Sequence, residues 1–299
     1  MKIINLNTYS PQERLLRHTQ QLGGDIPEEL IASDEYDALG QLISKQVGGQ
    51  DVQNNIGYQK VDYRYNIRGW LKSINDISSL DQPNDPLDLF AFKINYNTVE
   101  NDVNGQVQGL YNGNISETFW RTSSDNNLRK YGYQYDGLNR LLQAIYQKPD
   151  YNMPVTNMYN ESLSYDKNGN IQTLQRNGDF DWDASTSPPL VIDDLIYRYD
   201  IINNPNQLMS VSDSTNNPKG FVDGTNTGDD YTYDANGNMT HDLNKLIENI
   251  SYNHLNLPVL ITFTGGNTIA YLYNAIGQKV RKTVKVDGNS LETYYLDGF

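Results

Sequence analysis

The chain has 299 residues, enough for two ordinary domains or for one continuous all-β architecture of the size that sandwiches and barrels reach. Its 37 Asp and Glu against 23 Lys and Arg leave a formal charge of -14, which argues against a broad electrostatic grip on nucleic acid. The absence of cysteine removes disulfides, thiolate metal sites and cysteine nucleophiles together, and 3 histidines leave little for metal chemistry.

Charges at Glu13, Arg14 and Arg17 interrupt the start where an export signal needs an apolar stretch, and no window reaches the length of a transmembrane helix. Tyrosine outnumbers phenylalanine 23 to 7 beside 23 glycines, a mixture that predicts short strands joined by tight turns. A repeat organises them: Tyr, Asp or Asn, two variable residues, Gly, one variable residue, then an aliphatic.

In chain order, Tyr9 to Leu15 keeps only the ends of this pattern. Ser10-Pro11-Gln12-Glu13 also mimics a helix capping box that Arg14 to Gln21 could extend, but the six-residue spacing favours a degenerate repeat. Tyr36-Asp37 with Gly40 and Leu42 is the first full copy, and Tyr65-Asn66 with Gly69 and Leu71 is a looser one. Tyr111-Asn112-Gly113-Asn114-Ile115 is a shortened version, and in Tyr135-Asp136 Asn139 takes the glycine place before Leu141. Tyr165-Asp166 with Gly169 and Ile171, and Tyr233-Asp234 with Gly237 and Met239, are full copies. Tyr199-Asp200 with Leu208 and Tyr252-Asn253 with Asn256 are weaker, and Tyr273-Asn274 with Gly277 follows.

Each position has a physical task. Tyr closes a strand, Asp or Asn bonds back to the amide two residues on, Gly or Asn accepts the left-handed conformation, and the aliphatic starts the returning strand. Flanking residues alternate, with Ile196, Arg198 and Asp200 on one side of the pleat and Leu195, Tyr197 and Tyr199 on the other. A lone hairpin is marginal, so roughly nine such units are expected to pair into one curved, spiralling antiparallel sheet over residues 1–299, with no separate catalytic domain. Asp81 to Asp88, Asp179 to Pro189 and Asn216 to Asp230 read as surface loops between repeats.

The repeated Tyr-Asp...Gly pattern resembles that of the RHS or YD-repeat family, over nearly the whole chain from Tyr9 to Phe299. The family includes bacterial polymorphic toxins, shell subunits of insecticidal toxin complexes and animal teneurins. The resemblance implies a spiralling β-sheet that encloses a chamber, which in bacterial members holds a C-terminal toxin. It thereby implies an extracellular or cell-surface setting and, as partners, neighbouring repeats or a downstream cargo domain of the same polypeptide. The self-cleaving core segment and the variable toxin of bacterial members have no counterpart here, so no aspartate inherits a protease role. With repeats running up to both ends, the chain reads as an excerpt from a longer array.

Catalytic and metal chemistry is sparsely signalled, and no cofactor is expected. Asp166, Asn168 and Asn170, like Asp234, Asn236 and Asn238, imitate the first positions of an EF-hand loop, but the glycine falls too early and the closing glutamate is missing. Asp181, Asp183, Asp193 and Asp194 near Trp182 are the densest acidic group, with nothing to fix a glycosidase spacing. His18, His241 and His254 stand in unrelated contexts, and the Asn-x-Ser/Thr matches at Asn114, Asn160, Asn238 and Asn249 are expected by chance in an Asn-rich chain. An outer-membrane barrel shares the composition but lacks a sustained lipid-facing band. The sequence therefore reads as a non-catalytic scaffold. The alternative is an adhesion module for glycans or surface proteins, with Phe119, Trp120 and Trp182, aromatics outside the repeat register, as binding candidates.

Overall fold

The computed structural model describes residues 2–24, 26–83, 85–100, 105–151, 154–181 and 188–296. Among them it contains strands and turns and no helix. The chain forms two compact units, one of Met1–Asn160 with Phe180–Pro189 and one of Glu161–Asp179 with Leu190–Phe299.

The first unit carries β1 (Ile3–Tyr9), β2 (Leu15–Leu22), β3 (Glu29–Tyr36), β4 (Leu42–Val47), β5 (Gln59–Tyr65), β6 (Leu71–Ile74), β7 (Phe90–Asn95), β8 (Glu117–Thr122), β9 (Arg129–Tyr135) and β10 (Leu141–Gln147). Each pairs antiparallel with the next in chain order. The second unit carries β11 (Glu161–Tyr165), β12 (Ile171–Asn177), β13 (Val191–Asp200) and β14 (Asn204–Asp213), again in order. It also holds a seven-stranded sheet of β15 (Tyr231–Tyr233), β16 (Met239–Asp242), β17 (Ile247–Tyr252), β18 (Pro258–Phe263), β19 (Thr268–Tyr273), β20 (Lys279–Val286) and β21 (Asn289–Tyr294).

The motif builds the turns as its chemistry requires. Asp37 Oδ1 accepts from the amides of Leu39 at 2.9 Å and Gln41 at 2.8 Å, while Gly40 stands at φ 85. Asn66, Asp136, Asp166, Asp234, Asn253 and Asn274 make the same pair of bonds. Where Asn139 and Asn256 replace glycine they adopt φ 64 and 56, the left-handed region that Asn tolerates best after Gly. Each tyrosine then faces the residue six positions on, as in Tyr36 with Leu42, Tyr165 with Ile171 and Tyr252 with Pro258. A bulge beside it absorbs the extra residue.

The degenerate first copy is a hairpin: Tyr9 pairs with Leu15, Ser10 Oγ accepts from Gln12 and Arg14, and Glu13 takes the left-handed position at φ 61. Residues 15–22, the alternative helix, are strand β2. The short copy at Tyr111 does differ. Asn112 caps Asn114, but no strand follows directly, because the missing residues leave no room for the bulged six-residue return.

Two of the three surface insertions also differ at their ends. Asp88 and Asp230 are buried; the Asp88 amide donates to the Leu80 carbonyl at 2.9 Å and Asp230 accepts from the Val211 amide at 2.7 Å, so both insertions are tied down at their ends. A further stretch, at Gln106 and Val107, lies against β9. A Cβ on Gly132 would sit 2.4 Å from Val107 Cγ2, which explains a glycine in mid-strand. The core of the first unit includes Leu30, Ala91, Ile94, Val107, Phe119, Ile145, Tyr146 and Met158, and that of the second gathers on Leu195, Val211 and Tyr231.

Candidate functional site

The repeat tyrosines have a destination that sequence reasoning missed. Tyr96, Tyr135, Tyr199, Tyr233, Tyr252 and Tyr273 donate their hydroxyls to the carbonyls of Leu71, Ile115, Ile171, Leu208, Met239 and Pro258, at 2.6 to 3.1 Å. Each acceptor lies on the returning side of the preceding repeat's turn. Every such hydroxyl therefore ties one repeat to the one before it, which a Phe could not do. Amides of the turns add a second tie: Asn238 Nδ2 reaches Asn256 Oδ1 at 3.0 Å, and Asn170 Nδ2 reaches Asn206 Oδ1 at 3.2 Å. The only earlier signal was the fixed tyrosine place in the motif.

In the first unit, Trp120 stacks on Tyr131 with centroids 5.5 Å apart, and Tyr146 meets Tyr131 at 5.5 Å and Tyr159 at 5.2 Å. Asp181 accepts from the Tyr146 hydroxyl at 3.0 Å and from Arg129 Nε at 3.3 Å, and pairs with Lys148 at 3.0 Å. Burial first, and then this carboxylate, push the Tyr146 phenol far above its usual range. Hydrogen bonding to Arg129 holds the Asp125 carboxyl well below the usual carboxylate range. Asp181 is thus compensated by two cations and a phenol, an anchor for its loop and no free general base.

Phe119 is only 3% exposed, its ring under the ammonium groups of Lys93 and Lys130 at 5.6 and 5.3 Å. It is core and offers no open face to a ligand. Trp120 is half-buried within the aromatic stack, while Trp182 and Asp183 lie outside the described residues. Lys130 and Glu117, both fully buried, form an ion pair at 2.5 Å. Glu117 also accepts from the Glu100 amide and from Asn95, which fastens residues 96–100 to the sheet.

In the second unit, Asp193 is buried against Arg176 at 2.6 Å and takes the Phe221 amide, while Asp194 accepts from Ser214 Oγ at 2.7 Å. Asp213 accepts from the amides of Asp194 and Thr215. Each carboxylate is engaged in holding a loop. Burial raises the Tyr231 phenol to about 12. Asp166 and Asp234 spend their oxygens on their own turns, Asp166 on Asn168 and Asn170 and Asp234 on Asn236 and Asn238. His18 lies beside Asn5, and His241 beside Thr232. Among the described residues no three His, Cys, Asp or Glu side chains converge as a metal site, and no helix is long and apolar enough to cross a membrane.

Neither a protein-family model nor a curated protein sequence matches the chain. Solved structures do. The Photorhabdus luminescens Tc holotoxin pore, in a form with a mutation in TccC3, matches with a TM-score of 0.55 at 14% identity, over 97% of this chain and 14% of that one. The crystal structure of TcdB2-TccC3 without its hypervariable C-terminal region matches with a TM-score of 0.56 at 14% identity, over 97% and 14% of the two chains. TcdB2-TccC3 itself gives 0.55 with the same identity and coverage. The chain therefore spans 14% of the length of the solved chains it matches. At this identity the likeness is one of fold, and the all-β antiparallel architecture expected from the Tyr-Asp repeat is the architecture found.

Proposed function

We propose that the protein is a non-catalytic repeat scaffold, one stretch of a longer Tyr-Asp array that encloses or presents a cargo domain of the same polypeptide. The observation that carries this reading is where the polar side chains go: the tyrosine hydroxyls, turn carboxylates and loop aspartates are spent on joining repeats and anchoring insertions. A catalytic surface keeps some of these groups free and converging. The fold shared with the toxin-complex structures supports the same reading. Containment then follows from the wall itself, and an extracellular or cell-surface setting suits it.

The test is the mass of the native polypeptide in its source cells, by immunoblot against this segment and mass spectrometry of the band. A product far above 34.1 kDa is the expected result. A product of that mass would overturn the container, since too few strands would remain to close a chamber.

A further inference from the structure

We propose that the cleft around Trp70 is a saccharide site, shaped for a pyranose ring that carries a carboxylate. The cleft lies wholly in the first unit, has a volume of about 210 Å³, and is lined by Asn66, Arg68, Trp70, Tyr96, Asn97 and Tyr111 among others. It is independent of the scaffold reading, because a repeat wall can carry a ligand site or lack one.

The indole is fixed before any ligand arrives. Its backbone amide donates to Asn66 Oδ1 at 3.0 Å, and its ring lies 5.2 Å from that of Tyr96, which is itself tied to the Leu71 carbonyl at 3.1 Å. A Cβ on Gly113 would come within 3.1 Å of Trp70 Cη2, so the glycine of the shortened repeat leaves room for this ring and for nothing larger. Such preorganisation lowers the ordering cost of binding. Tyr111, the tyrosine of that shortened copy, makes no latch among the described residues and is 78% exposed. The cleft therefore has one fixed and one exposed aromatic ring, flat amphipathic surfaces of the kind on which the C–H face of a sugar stacks.

The carboxylate follows from Arg68. Arg121, Arg129, Arg140, Arg176, Arg198 and Arg281 each hold an acidic partner. Arg68 is exposed and, like Arg14, Arg17 and Arg64, has no ion pair among the described residues; its guanidinium lies over the Trp70 ring, 5.1 Å from the ring centre. A planar fork held over one face of the indole, next to the exposed Tyr111 ring, suits bidentate capture of a carboxylate borne on a ligand in the cleft. The amides of Asn66 and Asn97 stand at the rim for hydroxyls. A polyphosphate or nucleic acid would meet the net charge of -14, whereas a single carboxylate asks for one cation.

Calorimetric titration of the full chain with methyl glucuronide, which carries one carboxylate, and with methyl glucoside tests this. The glucuronide is expected to bind more tightly, with Arg68→Gln weakening it about tenfold or more, the loss of a charge-assisted hydrogen bond. Trp70→Ala should abolish binding, and Arg68, being exposed, keeps the test decisive if the Trp70 variant misfolds. No binding by either glycoside, equal affinity for both, or an Arg68→Gln variant that binds as well as the parent would each overturn the site.

Discussion

The Tyr252 hydroxyl donates to the Met239 carbonyl at 2.7 Å, across 13 residues of chain. The bond joins the end of β17 to the start of β16's returning strand, and its equivalents recur in both units. The phenol thereby gives a carbonyl beside the bulge a partner from the next repeat. Tyr252→Phe should therefore lower stability by about 1 kcal/mol, the usual net value of one intramolecular hydrogen bond. Tyr9→Phe is the control, since the Tyr9 hydroxyl only accepts from Asn7 at an exposed site. Urea unfolding followed by circular dichroism distinguishes them, and equal effects of both variants would remove the latch from the account.

The turns offer a test by backbone strain. Gly169 and Gly237 stand at φ 92 and 82 with open space where a Cβ would go, so substitution there meets conformational strain alone. Gly237→Val should cost about 1–2 kcal/mol, because a β-branched residue resists positive φ. Leu246 runs the other way: an exposed leucine at φ 56, its ordered partners all backbone. Leu246→Gly should stabilise by about 0.5 kcal/mol, after the added unfolded-state entropy is set against the relieved strain. Melting temperatures that fall for both variants would contradict the turn geometry at Leu246.

Asp88 gives a pH dependence. Burial, and then the nearby charges of Asp62 and Asp85, raise its carboxyl to about 6, against a partial offset from Lys60, with Asp76 adding to the rise. With the folded value above the unfolded one, the native state binds the extra proton between about 4 and 6, so this group's contribution to stability falls as pH rises through that window. Asp88→Asn should thus stabilise the protein at pH 7.5 by on the order of 1 kcal/mol and make little difference at pH 4. Thermal melts of both proteins across that range check it, and a parallel pH profile would show that Asp88 does not titrate there.

How much of this was legible follows from how local each feature is. The turns at Tyr36, Tyr165 and Tyr233 were readable because the Asx acceptor, the left-handed glycine and the returning aliphatic all lie within seven residues. The destination of Tyr252 was not, because Met239 belongs to the preceding repeat and nothing in a single copy names its partner. Phe119 was misplaced for the same reason. It stands outside the repeat register, which suggested a free aromatic face, yet pairing sets Lys93 and Lys130 opposite it on the two neighbouring strands, with their ammonium groups over its ring. Trp70 escaped notice because it occupies a variable motif position, and only Gly113, 43 residues on, shows why a ring fits there.

Glu117 carries the final prediction. It is fully buried, paired with an equally buried Lys130, and accepts from the Glu100 amide at 2.8 Å and Asn95 Nδ2 at 3.0 Å. Removing one partner of such a pair leaves an uncompensated interior charge, which typically costs about 3–5 kcal/mol. Glu117→Gln keeps the shape and the acceptor for the Glu100 amide but loses the charge opposite Lys130, whereas the double change Glu117→Gln with Lys130→Met removes both charges. The single variant should be the less stable of the two and should be cut first at Tyr96 or Glu100, by chymotrypsin or a glutamate-specific protease, since residues 96–100 hang on this carboxylate. Limited proteolysis with mass mapping of the first cuts reads this directly. If the single and double variants are cut alike and at other loops, Glu117 is not the fastening of that segment.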